Sequence, residues 1–218
     1  MPELDREFGE AHFRVAVFGS ARTEPQDGAY SLVHSLAGMI AEKGMDLITG
    51  GGPGLMDAAS RGYHAAKQNG EQHSIGLNIW LPQEQSDAGH LDIKAEFEHF
   101  SERLDHFIAL SNAFVVAPGG IGTLLELFYT WQLAQVRHIH SKPIILLGDV
   151  WSGLLQWIKK PLLEADYLDA RDLDLIYAVS TCDEAFEIIS KSYEAYARGD
   201  EEFCRNYHEY KLNKDIGS

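Results

Sequence analysis

Nine residues in the second half of the chain combine groups that hold an anion with one that can attack a polarised bond. They are Pro118-Gly119-Gly120-Ile121-Gly122-Thr123-Leu124-Leu125-Glu126. Glycines carry no Cβ, so backbone N–H groups can come close to a phosphate and positive φ is open to them. A helix beginning at about Thr123 adds unpaired N–H groups and a partial positive end, and Thr123 itself adds a hydroxyl. Glu126 then stands beside a phosphate cradle, where a carboxylate can activate water or stabilise positive charge. The same residues also fit a helix capping box, Thr123-x-x-Glu126, in which the glutamate does no more than accept the backbone N–H of Thr123. Both readings stand on the spacing alone.

Two further turns carry glycines, Gly19-Ser20-Ala21-Arg22 and Gly50-Gly51-Gly52-Pro53-Gly54. The first lacks the G-x-G-x-x-G spacing, and no acidic residue ends the second strand to hold a ribose diol. No Gly-Lys-Ser/Thr follows a glycine run. Dinucleotide hydride transfer and Walker-type ATP hydrolysis are therefore both disfavoured.

The elements that position these turns follow from the apolar patterning. Arg14–Phe18, Asp46–Thr49, Ala113–Ala117 and Pro143–Leu147 read as buried strands. His73–Asn78, Ile93–Phe100 and a short Leu175–Val179 complete the set. Helical periodicity covers Gly28–Lys43, Leu55 to about Gln68, Ser101–Ser111, Thr123–Arg137, Ser152–Glu164 and Asp183–Ala197, while Gln83–His90 reads as a loop. Ala58, Ala59, Ala65 and Ala66 would let the second helix pack closely. Strand–helix alternation of this kind predicts an α/β, Rossmann-like doubly wound, mostly parallel sheet flanked by helices. In such sheets ligands bind beyond the carboxyl ends of the strands, where the three glycine turns converge.

A length of 218 residues suits one domain, taken as residues 1–198, with the polar stretch 199–218 as a tail or appended helix. The net charge of −15 argues against nucleic acid as a partner but leaves a small anion held by backbone amides. No apolar run approaches the roughly 18–20 residues of a membrane span. The acidic stretch Met1–Glu10 does not read as a signal peptide, so a cytoplasmic protein is expected. Cys182 and Cys204 lack metal or disulfide-framework spacing, and His138 and His140 read as a solvated pair at a helix end. No metal centre and no cofactor are expected.

The motifs together resemble the LOG (Lonely Guy) family, cytokinin-activating phosphoribohydrolases often labelled lysine decarboxylases. Pro118 through Glu126 match the PGGxGTxxE signature at every fixed position. Gly50 to Met56 match a glycine-rich turn ending in Gly-Leu-Met. Arg103 occupies the place of a family arginine fifteen residues before the signature proline, and Pro82-Gln83-Glu84 echoes a Pro-x-Glu segment near the substrate. The resemblance spans about residues 14 to 190. It departs from the pattern at Leu104, where lysine is usual, and at Leu125, where an acid is frequent.

The resemblance implies hydrolysis of the N-glycosidic bond of a nucleoside 5′-monophosphate, AMP or a cytokinin-type nucleotide, to free base and ribose 5-phosphate. Glu126 and Arg103 would be the catalytic pair. Gly119, Gly120, Gly122 and Thr123 would hold the phosphate, Gly51 and Gly52 would shape the opposite wall, and Glu84 would bind substrate. The helix Thr123–Arg137 is apolar beyond one stripe, and the resemblance points to a homodimer. The alternative on the same fold is a non-catalytic nucleotide or molybdopterin-type cofactor carrier. Lysine decarboxylation would need a pyridoxal-binding lysine, and none lies in or beside the glycine turns.

Overall fold

The structure, a computed structural model, describes residues 2–9, 11–68, 70–80, 89–139 and 142–199. Seven strands, β1 (Arg14–Phe18), β2 (Asp46–Thr49), β3 (Ser74–Ile79), β4 (Ile93–Phe97), β5 (Ala113–Val116), β6 (Ile144–Leu147) and β7 (Ile176–Val179), form one sheet among the described residues. Its order is β4-β3-β2-β1-β5-β6-β7 and every pairing is parallel. The doubly wound α/β fold expected from the sequence is the one observed.

The central strands are buried on both faces, so they read as unbroken apolar runs: Ile144–Leu147 is buried at every position. Edge strand β4 alternates instead, with Ile93, Ala95 and Phe97 inward and Lys94 and Glu96 exposed. Val15 and Val17 face a core built with α2 (Gly28–Glu42), α3 (Leu55–Ala66) and α8 (Cys182–Ala197). Ala16 and Phe18 face the other core, against α1 (Pro2–Glu7), α4 (Phe100–Leu110) and α5 (Ile121–Gln135). Fully burying side chains such as Phe107 and Phe114 contributes about 1.5–3 kcal/mol each.

Three elements differ from the sequence expectation. The N-terminal stretch is not merely a polar leader: α1 seats Leu4, 2% exposed, in the second core, with Phe8 packed beside it one turn on. The helix expected over Ser152–Glu164 starts as a 3₁₀ turn (Asp149–Trp151), becomes α6 (Ser152–Trp157) and widens to a π turn at Ile158–Leu162. Pro161 lies inside that turn; having no N–H, it cannot sustain the i→i−4 ladder. A short α7 (Ala170–Leu173), capped by Asp169 and Asp172, precedes β7. The residues 200–218, read as a tail, lie outside the described residues, as does most of the loop Gln83–His90. No helix among the described residues is long and apolar enough to cross a membrane.

Of the small residues of α3 expected to allow close packing on the sheet, Ala58 and Ala59 are fully buried while Ala65 is exposed, and the tightest approach is instead to α2, at Gly62. A Cβ on Gly62 would lie 2.0 Å from the carbonyl oxygen of His34 in α2. Ala is the better helix former by about 1 kcal/mol. Even so, Gly62→Ala is expected to destabilise by about 1–3 kcal/mol, because backbone has to move to admit the methyl. Gly153→Ala, in α6 with nothing near the added atom, is expected to be neutral or stabilising. Urea unfolding of the two variants beside the parent checks both, and equal stabilities would refute the packing argument.

Candidate functional site

The chain runs outward from β1 through β2 and β3 to β4, then returns to place β5 on the other side of β1. That reversal opens a crevice at the carboxyl ends of β1 and β5, where open α/β sheets hold ligands. Two backbone hydrogen bonds draw the three glycine turns together there. Ser20 N–H donates to the Pro118 carbonyl at 3.0 Å, and Leu55 N–H donates to the Ser20 carbonyl at 2.9 Å. The contact is tight enough to demand glycine. Gly54 has φ +69°, and a Cβ there would sit 2.3 Å from the Ser20 oxygen.

Helix α5 begins at Ile121, two residues earlier than the sequence suggests, with Gly120 as N-cap. Leu124 N–H donates to the Gly120 carbonyl at 2.9 Å, so the N–H groups of Ile121, Gly122 and Thr123 precede the first intrahelical bond. The capping-box reading falls with this start. Thr123 is a buried residue inside the first turn, not the N-cap, and Glu126 lies in the second turn, beyond reach of that role. Gly119 is closed in from behind, since a Cβ would stand 2.1 Å from Thr123 Oγ1. Added Cβ atoms on Gly120 and Gly122 would meet nothing within 4 Å, so their backbone is open to a ligand.

Glu126 points instead at Arg103. Arg103 Nη1 donates to Glu126 Oε1 at 3.2 Å, Arg103 Nε donates to the Leu77 carbonyl at 2.6 Å, and the guanidinium lies 5.0 Å from the Phe107 ring centroid. Both residues are buried, at 7% and 9% exposure. Burial pushes the Glu126 carboxyl above the usual glutamate range, and Arg103 pulls it back in part. Burial likewise lowers Arg103 while Glu126 supports its charge; an arginine so paired stays protonated.

The third side of the guanidinium rests on Gly50, whose Cβ would fall 2.4 Å from Arg103 Nη2. Any side chain at 50 therefore displaces the arginine.

These groups line a cavity of about 460 Å³. Gly120, Gly122, Thr123, Arg103 and Glu126 are all on its wall, and the turn after β2 contributes Gly50. Gly51 and Gly52 continue that turn: the Cβ place of Gly51 is taken by the Asn78 side chain, and that of Gly52 lies 2.9 Å from Met56 Cε. Glu84 lies outside the described residues. Ser20, Arg22, Gly50 and Met56, which the sequence reading placed in the glycine turns without giving them a role, also line the cavity. Their signal was the place of those turns, after strands that flank the reversal.

Residues 56–190 match the family model described as possible lysine decarboxylase. The chain is 33% identical over 156 residues to the probable cytokinin riboside 5′-monophosphate phosphoribohydrolase LOGL5 of Oryza sativa subsp. japonica. That match takes in 69% of this chain, which thus spans 61% of the length of the rice relative. It is 31% identical over 193 residues to the cytokinin riboside 5′-monophosphate phosphoribohydrolase LOG3 of Arabidopsis thaliana, covering 84% of this chain and 83% of that protein. Among solved structures it is similar in fold to the molybdenum cofactor carrier protein of Chlamydomonas reinhardtii, with a TM-score of 0.60, 22% identity, and coverage of 84% and 99% of the two chains.

The pairing makes a direct electrostatic prediction. Replacing the guanidinium with a neutral amide in Arg103→Gln removes the charge that lowers the Glu126 carboxyl, so that carboxyl titrates at still higher pH. Carbon-13 NMR of side-chain carboxyls checks this. An unchanged Glu126 titration would show that the two groups do not interact.

Proposed function

We infer, since the chain belongs to the LOG family described as possible lysine decarboxylases, that it hydrolyses the N-glycosidic bond of a nucleoside 5′-monophosphate. The products are free base and ribose 5-phosphate; the relatives' names favour a cytokinin-type nucleotide as substrate, and AMP is the other candidate. One observation carries the reading: a buried, arginine-paired carboxylate shares a cavity with an open helix N-terminus.

We assign the roles from the geometry together with the motif. The backbone of Gly119, Gly120 and Gly122 and the Thr123 hydroxyl hold the 5′-phosphate, helped by the positive end of α5. Gly51 and Gly52 support the opposite wall through Gly50, and Glu84 is kept as a substrate-binding residue from the motif. Cleaving the C1′–N bond leaves its electron pair on the base and positive charge on the sugar. The Glu126 carboxylate stabilises that charge and accepts a proton from the water that adds to C1′; that proton then goes to the departing base, leaving Glu126 ionised again. Arg103 takes no proton; it holds Glu126 ionised and aimed. The described residues lining the cavity include no lysine, which speaks against the decarboxylase label.

A carrier protein on the same fold would bind the nucleotide and release nothing, so the fold alone does not choose. The buried acid favours hydrolysis. An ionised carboxylate held where burial disfavours its charge is a cost to folding that simple binding does not need.

The proposal extends to a homodimer. Ile121, Leu125, Phe128 and Val136 are exposed along α5 at helical spacing, a stripe that a second copy would cover.

Release of base and ribose 5-phosphate from AMP, GMP, CMP, UMP and isopentenyl-AMP tests the reaction. Glu126→Gln, which keeps an oxygen for Arg103, is expected to fold and to lose at least about a thousandfold in kcat. Tight nucleotide binding without release in the parent would point to the carrier. Because the Glu126 carboxyl is raised, its proton is held more tightly in the folded chain than in the unfolded one. Activity should therefore fall as pH drops through a midpoint above the ordinary glutamate value of 4.5. Phe128→Asp is expected to convert dimer to monomer in light scattering; a parent that is already monomeric removes the dimer.

A further inference from the structure

The opposite end of the sheet carries a second cluster of chemistry-bearing side chains. Glu7 closes α1, His12 precedes β1, Asp46 opens β2 and His73 precedes β3, so four separate segments meet at the amino ends of the strands. One ligand atom from each lies within 4.8 Å of all the others. The two carboxylates are withdrawn from water, Glu7 at 2% and Asp46 at 1% exposure. The two imidazoles are partly open, at 25% and 31% of their side-chain surface.

The orientation of the oxygens is what makes this more than a set of ion pairs. Arg14 Nη2 donates to Glu7 Oε2 at 2.9 Å, which leaves Oε1 turned to His73 Nδ1 at 3.1 Å. His73 N–H donates to Asp46 Oδ1 at 2.9 Å, which leaves Oδ2 turned to His12 Nδ1 at 3.1 Å. Each carboxylate thus has one oxygen held by a hydrogen bond and turns the other to an imidazole, the Asp46 oxygen also lying near Arg14 Nε. His73 Nδ1 is buried and makes no hydrogen bond among the described residues, despite its closeness to Glu7 Oε1.

We propose that Glu7, His12, Asp46 and His73 bind one divalent transition-metal ion of the zinc type. A tetrahedral zinc with ligand bonds of about 2.0–2.1 Å has ligand–ligand edges of about 3.3–3.4 Å. The two imidazole–carboxylate pairs already stand close to that separation. The wider gaps close by rotation of the partly exposed imidazoles. Two nitrogens and two oxygens form a donor set that zinc accepts.

The charge is favourable too. Two carboxylates against one guanidinium, Arg14, leave a net negative site when the imidazoles are neutral. Arg14 Nε stands 3.3 Å from Asp46 Oδ2, so the guanidinium and the ion share that oxygen from different sides. His12, alone of the four, also lines a cavity of about 330 Å³ with Phe13, Gln72 and Tyr193. The role is structural: the metal clamps α1 to the sheet far from the cleft.

The test uses the full chain, free of any affinity tag and stripped with chelator, titrated at pH 7.5 with Zn²⁺ alone by calorimetry and with Co²⁺ by visible absorption. One equivalent is expected to bind, Co²⁺ should give a four-coordinate d–d band, and Zn²⁺ should raise the Tm. His12→Ala and His73→Ala replace partly exposed side chains and should fold in chelator with an unshifted circular dichroism spectrum. Each should weaken binding by at least about tenfold. An absence of stoichiometric binding overturns the proposal, and so does binding that survives both substitutions, because the ion would then sit elsewhere. Nucleotide hydrolysis by the chelator-treated protein is expected to persist, which separates this site from the cleft.

Discussion

The cleft depends on one interaction, the buried ion pair between Arg103 and Glu126. Neither charge is tolerable in that place alone: removing one partner of such a pair leaves an uncompensated buried charge, a loss of about 3–5 kcal/mol. The pair therefore constrains everything around it. Arg103 needs an acceptor for Nε, which β3 supplies as the Leu77 carbonyl, and it needs space for Nη2, which the turn after β2 supplies at Gly50. Phe107, one turn along α4, gives its ring to the same guanidinium. On the other side, Glu126 is carried by α5, whose start is fixed by Gly120. Strand ends, two helices and a glycine turn are thus held in register by a single guanidinium.

The second constraint is the approach of three loops at the reversal of strand order. Ser20 joins them, donating to Pro118 and accepting from Leu55. Glycine is needed where the backbones touch, at Gly54, and where a side chain folds back over a turn, at Gly119 under Thr123. Elsewhere in these loops, at Gly120 and Gly122, glycine fills no steric need within the protein. That contrast separates glycines kept for packing from those that leave a surface open for a ligand.

Much of this is legible in the residues. Parallel strands buried on both faces announce themselves as apolar runs, and β5 with its glycine turn could be placed without coordinates. The Arg103–Glu126 contact could not be derived from spacing, because the residues lie on different helices and only tertiary packing brings them together; a motif resemblance supplied it. The capping box was a local pattern overruled by a longer helix: once Gly120 begins α5, Thr123 and Glu126 are no longer at its end. Helix α1 was missed because its core contribution rests on Leu4 and Phe8 amid charged residues. The cluster of Glu7, His12, Asp46 and His73 escaped a reading that expected no metal centre, for a related reason. Its members are scattered over four segments, so no spacing rule could collect them.

The polarity of the fold gives both sites a common physical basis. In a parallel sheet wound with helices, the helix N-termini crowd the carboxyl ends of the strands and the helix C-termini crowd the amino ends. The first pole carries partial positive charge and favours an anion, and there α5 opens beside Gly120 and Gly122. The second carries partial negative charge and favours a cation. There α2 and α3 end, at Glu42 and Ala66, shortly before Asp46 and His73. An overall charge of −15 is no obstacle to a phosphate at the first pole, since the field there comes from oriented amides and one buried arginine rather than from net charge. The same dipoles that would let an acidic protein hold an anion at one end of its sheet favour a cation at the other.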